Sequence, residues 1–235
     1  MGFQRAVFPN DLLGHREGGI LALTALVLRK LHGPGGVGPR EASVALVMRL
    51  CRAFDRAGAD AGEAAYMRLL TPAIKYWTCK SAPGFLYEAM ECLGGNGYVE
   101  EGILARHYRE SPVNAIWEGS GNVMCLDVLR ALGREADAAL VVLRALADET
   151  EGLPGAAEAV ASIGQSFRRP DSERIARLAV EKLALLAAAA ALNQVSQKSA
   201  ELFAATRLAE RHAGMYGAVD LSDADQRALL ARALP

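Results

Sequence analysis

The sequence predicts an all-α protein, an up-and-down helical bundle with an additional helical C-terminal subdomain. Three observations carry that expectation. Alanine and leucine dominate 235 residues that are 51% hydrophobic but only 6% aromatic, a bias toward helix over strand. Apolar residues recur at spacings of three and four along most of the chain. No alternating polar and apolar run is long enough to make a strand pair.

The elements follow in order. Residues 1–40 are the least regular: a helical run over 19–31 ends in the cluster from Gly33 to Pro39, which terminates a helix and reads as a connector. Val44, Leu46, Val47, Leu50 and Phe54 then mark a helix over 41–54. After a break at 58–62, Tyr66, Leu69, Leu70, Ile74 and Trp77 form the stripe of another, which Thr71-Pro72 is expected to bend. A separate helix is expected over 83–93, stopped by Gly94-Gly95, then a short one over 100–108 and a turn at Ser111-Pro112. Ser120 reads as the N-cap of a helix that Gly133 closes. The remainder reads as helices over 136–148 and 154–167, a long segment over 171–212 breaking near Asn193-Gln194, and a last helix over 223–234 capped by Ser222. Short connections imply antiparallel packing. The expected organisation is an irregular segment 1–40, a bundle 41–133, and an extension 134–235 packed onto it.

Composition excludes several function classes. A net charge of -1 gives no global pull toward nucleic acid or an anionic membrane. Cys51, Cys79, Cys92 and Cys125 are scattered, as expected of reduced thiols in a cytoplasmic protein. His15, His32, His107 and His212 make no metal-ligand spacing. No signal peptide is read at the N-terminus. The most apolar stretch, 183–192, is short of the roughly 20 residues that span a bilayer and is expected to be a buried helix.

Two stretches are not needed merely to fold helices. In Gly94-Gly95-Asn96-Gly97-Tyr98, glycines permit positive φ and close backbone approach, which suits a phosphate or a flat ring and equally a tight helix C-cap. No strand precedes them and the spacing is not that of a Rossmann loop. In Trp117-Glu118-Gly119-Ser120, a lone carboxylate stands between an apolar segment and a helix start. In general an apolar neighbourhood disfavours a carboxylate anion and a nearby helix N-terminus favours it, so a position of this kind is tunable. A base acting on carbon wants such a place shielded from water. A solvated first-turn Glu complementing the helix dipole is the other reading.

The segment 86–132 resembles the C-terminal helical domain of acyl-CoA dehydrogenases, and within them the AidB-like branch, flavoproteins of the adaptive response to DNA alkylation. The motifs are Gly94-Gly95-Asn96-Gly97-Tyr98, Arg109, and Trp117-Glu118-Gly119-Ser120, with AidB-like surroundings over 108–117, 121–130 and 70–75. The resemblance covers roughly 41–235. It implies that Glu118 abstracts the α-proton of an acyl-CoA thioester while hydride leaves to FAD. It implies that Ser120 and Asn122 contact FAD, as do Gly94 and Gly95 from a neighbouring subunit of a homo-oligomer. Glu91 stands where many members have a flavin-contacting Gln. Arg109 reads as structural, pairing within the loop that presents Glu118, or as a surface charge.

The family's N-terminal helical domain and middle β-domain have no counterpart here, and Arg5 and Phe8 do not reproduce its Arg- and Phe-containing FAD segment. An FAD site built across three domains and two subunits is therefore expected to be incomplete in this chain. The chain could then be a fragment, a truncated product or one partner of a split protein, or an inactive helical oligomerisation module. The AidB-like branch further implies double-stranded DNA binding through the C-terminal helices. Residues 165–215 hold eight basic side chains against five acidic ones, a net of +3, which fits phosphate contact or a solvated helix face.

Overall fold

Helices follow one another with no strand among the described residues, which in this computed structural model are 37–209 with 222, 224, 225, 227 and 228. The expected helix over 19–31, the start of its connector, Arg5, Phe8 and most of the last helix lie outside them. The elements are α1 (Val37–Arg56), α2 (Ala61–Cys92), α3 (Gly95–Tyr98), α4 (Ile103–Glu110), a 3-10 turn (Ser111–Ala115), α5 (Gly121–Arg134), α6 (Ala136–Glu149), α7 (Ala156–Arg168), α8 (Ser172–Asn193) and α9 (Gln197–Arg207).

α1 begins at Val37, so the last residues of the expected connector are helical. Pro39 falls in the first turn, where its missing N–H has no intrahelical partner to lose. The larger correction concerns α2. The two helices expected either side of residue 80 are one helix of 32 residues with Pro72 and Pro83 inside it. Each proline removes one backbone hydrogen bond. That loss is outweighed because α2 is buried on several faces, from Tyr66, Leu69, Leu70 and Ile74 through Phe85, Leu86 and Ala89. Hydroxyls return to the carbonyl ladder near both prolines: Thr71 Oγ1 donates to Met67 O at 2.6 Å and Ser81 Oγ to Trp77 O at 2.9 Å. Asp60 caps the start, its carboxylate accepting from the amides of Gly62 and Glu63.

Gly133 does not close α5, which continues to Arg134. The boundaries of α6, α7 and α8 match expectation within two residues, and the long segment breaks at 194–196. Ser196 caps α9 by accepting from the Ser199 amide. Ser222 likewise accepts from the Asp225 amide, as expected of an N-cap.

α8 is the centre of the packing and touches α1, α2, α5, α7 and α9. Its apolar stretch 183–192 is buried throughout, a buried helix as expected. No helix among the described residues is long and apolar enough to cross a membrane. Runs of alanine at 187–191 let neighbouring backbones approach, and the surrounding helices share one core with α8. Polar links pin the junctions. Arg49 bonds Glu63 at 2.6 Å and lies 3.9 Å over the Tyr66 ring, joining α1 to α2. Burial pushes the Tyr66 hydroxyl up, well beyond its usual titration range. Arg68 pairs with Asp127 at 3.4 Å, joining α2 to α5, and Asn193 Nδ2 donates to Glu149 O, joining the ends of α8 and α6.

Phe203 fixes α9 against α2, its ring edge-on to Trp77 at 6.3 Å with 2% of its surface exposed. Phe203→Ala is expected to cost about 3–5 kcal/mol of unfolding free energy, read by denaturant titration. A loss below about 1 kcal/mol would contradict this packing.

Candidate functional site

The segment carrying Glu118 lies between the 3-10 turn and α5, and a side chain of α2 holds it. Lys75, 1% exposed, donates from Nζ to three backbone carbonyls: Gly119 O at 2.7 Å, Trp117 O at 3.0 Å and Asn114 O at 3.2 Å. An ammonium has three donors and no acceptor, so these bonds use its full capacity. Burial holds the Lys75 pKa below its usual value, and the nearby charges of Cys79 and Glu118 oppose that shift. Asn114 is itself buried and donates to Ser111 O, closing the 3-10 turn.

Between these fixed carbonyls the backbone is unusual. Glu118 has φ 57°, the one non-glycine residue with positive φ among the described residues, and Gly119 follows at φ 114°. The left-handed region costs an ordinary residue of order 1–3 kcal/mol, and such outliers concentrate where geometry matters to function. At Gly119 an added Cβ would meet Met124 Cε at 2.2 Å. The turn thus delivers Glu118 outward while its peptide groups face Lys75.

Glu118 is exposed, and so are Ile116 (66%) and Trp117 (50%). The expectation of an apolar setting shielded from water is therefore not met within this chain, because the apolar neighbours are themselves uncovered. Tyr98, Val99, Ile103 and Val113 extend the same uncovered apolar surface through α3, α4 and the 3-10 turn. Ser120 occupies the N-cap position of α5 with extended backbone, but its side chain makes no cap hydrogen bond, contrary to expectation. Asn122 is exposed beside it.

Glu91, Gly94 and Gly95 are also exposed, at the far end of α2. Lys75 and Cys92 lie 17 positions apart on that helix, about 25 Å at its standard rise. One chain therefore does not bring the glycine turn to Glu118. The glycines also divide by role. Gly94 has φ 56°, and a Cβ at Gly94 or Gly95 would meet nothing within 4 Å. Gly97 makes the close approach, to its own chain: a Cβ there would lie 2.2 Å from Met90 O. Instead of a simple turn, residues 95–98 form the short helix α3 folded against the end of α2.

Arg109 is exposed and does not pair within the loop that presents Glu118. It makes a two-pronged ion pair with the exposed Glu100, in the connection between α3 and α4. Sequence reasoning missed Lys75 as a site residue. The available signal was a cation beside Ile74 in the apolar helical stripe from Tyr66 to Trp77, a stretch whose other cation, Arg68, pairs with Asp127. Among the C-terminal basic residues, Arg169 and Arg174 pair with Asp171, Lys198 pairs with Asp225, and Lys182 bonds Ser162.

Residues 30–133 match the family described as acyl-CoA dehydrogenase, C-terminal domain. AidB of Escherichia coli (strain K12), grouped by name with the acyl-CoA dehydrogenases, is 43% identical over 194 residues, 82% of this chain and 35% of AidB. Acyl-CoA dehydrogenase family member 11 of Caenorhabditis elegans is 45% identical over 74 residues, 31% of this chain and 12% of that protein. The crystal structure of C. elegans ACDH-11 in complex with C11-CoA shares the fold, with a TM-score of 0.64 at 24% identity over 83% of this chain and 37% of that one. The chain thus spans about a third of the length of AidB.

The two kinds of glycine give a direct check. Gly97→Ala is expected to destabilise the chain by about 1–3 kcal/mol, because Met90 O must move. Gly95→Ala should change stability by less than about 0.5 kcal/mol. Equal effects in denaturant titration would contradict the assignment.

Proposed function

We propose that this chain, which belongs to the acyl-CoA dehydrogenase family and carries its C-terminal helical domain, supplies the base of an acyl-CoA dehydrogenation. Glu118 takes the α-proton of an acyl-CoA thioester as the α,β double bond forms. FAD, when bound, accepts the hydride that leaves the β-carbon. The observation that carries this reading is the Glu118–Gly119 turn, an ionisable side chain held at positive φ by bonds from a buried ammonium. A group that must meet a carbon acid in one orientation gains from a backbone that cannot rotate away. The complex of ACDH-11 with C11-CoA supports the substrate class.

The residues present fit one edge of FAD rather than all of it. Ser120 and Asn122 stand exposed at the first turn of a 14-residue helix whose leading amides receive no bond from the Ser120 hydroxyl. Those amides and the helix dipole favour a phosphate. Gly94 and Gly95 offer backbone with open space above it, and Glu91 lies beside them. The separation of about 25 Å along α2 supports a reading in which the two groups serve different sites in a homo-oligomer, the glycine turn of one copy completing the site of another. A carboxylate at Glu91 repels a phosphate, so its contact would be to the ring or ribose. Docking a second copy or further domains over Ile116 and Trp117 also provides the dry setting that Glu118 lacks alone.

A second reading is DNA binding of the AidB-like type. It is favoured by the reach of the AidB similarity: 194 aligned residues extend well past the family domain that ends at residue 133. Retention on double-stranded DNA that falls steeply with added salt would support it, and salt-insensitive or absent retention would remove it.

Two outcomes test the main reading. The chain alone is expected to retain little FAD, and a yellow, stoichiometrically loaded preparation would contradict a shared site. In an assembly complemented with the remaining domains, Glu118→Gln should leave FAD bound and abolish flavin bleaching by an acyl-CoA. Undiminished bleaching would refute the base assignment.

A further inference from the structure

We propose that Lys75 is the positioning residue of Glu118, fixing from behind both the backbone that presents the carboxylate and the positive field in which it works. The inference rests on Glu118 being the base, and it goes beyond that reading by naming what prepares the base.

The geometry comes first. Two of the three carbonyls on Lys75 Nζ belong to Trp117 and Gly119, the residues on either side of Glu118. The third, of Asn114, lies in the 3-10 turn that leads into the segment. With these carbonyls drawn to one point, the peptide group before Glu118 and the one after Gly119 are both held, so the two residues between them, each at positive φ, are constrained from both ends.

The chemistry of the donor comes second. Tying a loop needs only hydrogen bonds, and a buried neutral amide supplies them at a far smaller desolvation cost than an ammonium. Lys75 is buried to 1% exposure, and among the described residues no carboxylate forms an ion pair with it. A buried cation with only carbonyl partners leaves its net charge acting on its surroundings. Two titratable groups bear on it, the Cys79 thiol one turn along α2 and the carboxylate of Glu118. The Cys79 thiol is pushed up to about 11 by burial and is therefore neutral at physiological pH. That leaves Glu118 as the carboxylate whose charge bears on Lys75. Glu118 is exposed whereas Lys75 is enclosed beneath the turn, so Lys75 does not reach a substrate and acts only through Glu118.

A clamp on the loop and a charge behind the base differ in one measurable respect. Lys75→Met, Glu118→Gln and the double variant of the full chain form a thermodynamic cycle read by denaturant unfolding. Lys75→Met should raise the unfolding constant by at least about tenfold, since three carbonyls lose their donor. At low salt the effect should be about two- to fivefold smaller in the Glu118→Gln background, and the difference should vanish at high salt. A loop clamp without a field predicts additive effects at every salt concentration, and that result would overturn the proposal. If Lys75→Met does not fold, Lys75→Gln replaces it in the same cycle. The surface change Glu118→Gln alone gives an independent readout: the titration of Lys75, followed by its side-chain nitrogen resonance, should move to lower pH because an attractive negative charge is gone. An unmoved titration would likewise overturn the proposal. Additive effects combined with abolished bleaching in Glu118→Gln would remove the role of Lys75 and keep the base. Coupling combined with undiminished bleaching would remove the reading on which the role rests.

Discussion

Three hydrogen bonds from one buried ammonium join the interior of this protein to the surface segment that carries Glu118. Lys75 leaves the middle of α2 and ends on the carbonyls of Asn114, Trp117 and Gly119. Removing a cation from water costs several kcal/mol even after relaxation, and hydrogen bonds to a charged group return about 1.5–3 kcal/mol each. The arrangement therefore holds only while all three acceptors remain in place. That makes the course of the loop, the 3-10 turn before it and the start of α5 after it one linked unit.

The rest of the fold can be seen as what keeps Lys75 at depth. α2 runs unbroken through Pro72 and Pro83, and α8, with its buried alanines, packs against it. Three helix junctions carry a polar tie: Arg49 with Glu63, Arg68 with Asp127, and Asn193 with the carbonyl of Glu149. The face that includes Tyr98, Ile103, Ile116 and Trp117 has no such enclosure and presents large apolar side chains to the outside. Uncovered apolar surface of this kind is where another chain or domain can pack.

Much of this architecture could be read from residues, and the exceptions have physical causes. The ends of α6, α7 and α8 were accessible because sequence punctuation such as Gly152, Pro154 and Gly155 falls where the hydrophobic period lapses. α2 was read as two helices because proline is a local signal, whereas the burial that overrides it comes from α1, α5 and α8, distant in sequence. Gly97 looked like part of a ligand cradle, and only the folded chain reveals that its missing side chain makes room for Met90 O. The site residues Glu118, Ser120 and Asn122 were named through resemblance, not through periodicity. Lys75 escaped notice because a lysine within an apolar stripe usually signals an exposed edge, and its three acceptors lie 39 to 44 positions away.

The most direct test of this account is the behaviour of the Lys75 ammonium in the intact chain. Nitrogen-15 labelling of lysine should reveal one slowly exchanging ammonium signal with cross-relaxation to the backbone of Asn114, Trp117 and Gly119. Rapid exchange with solvent and no contact to those three residues would contradict the claim that the buried cation holds the Glu118 turn.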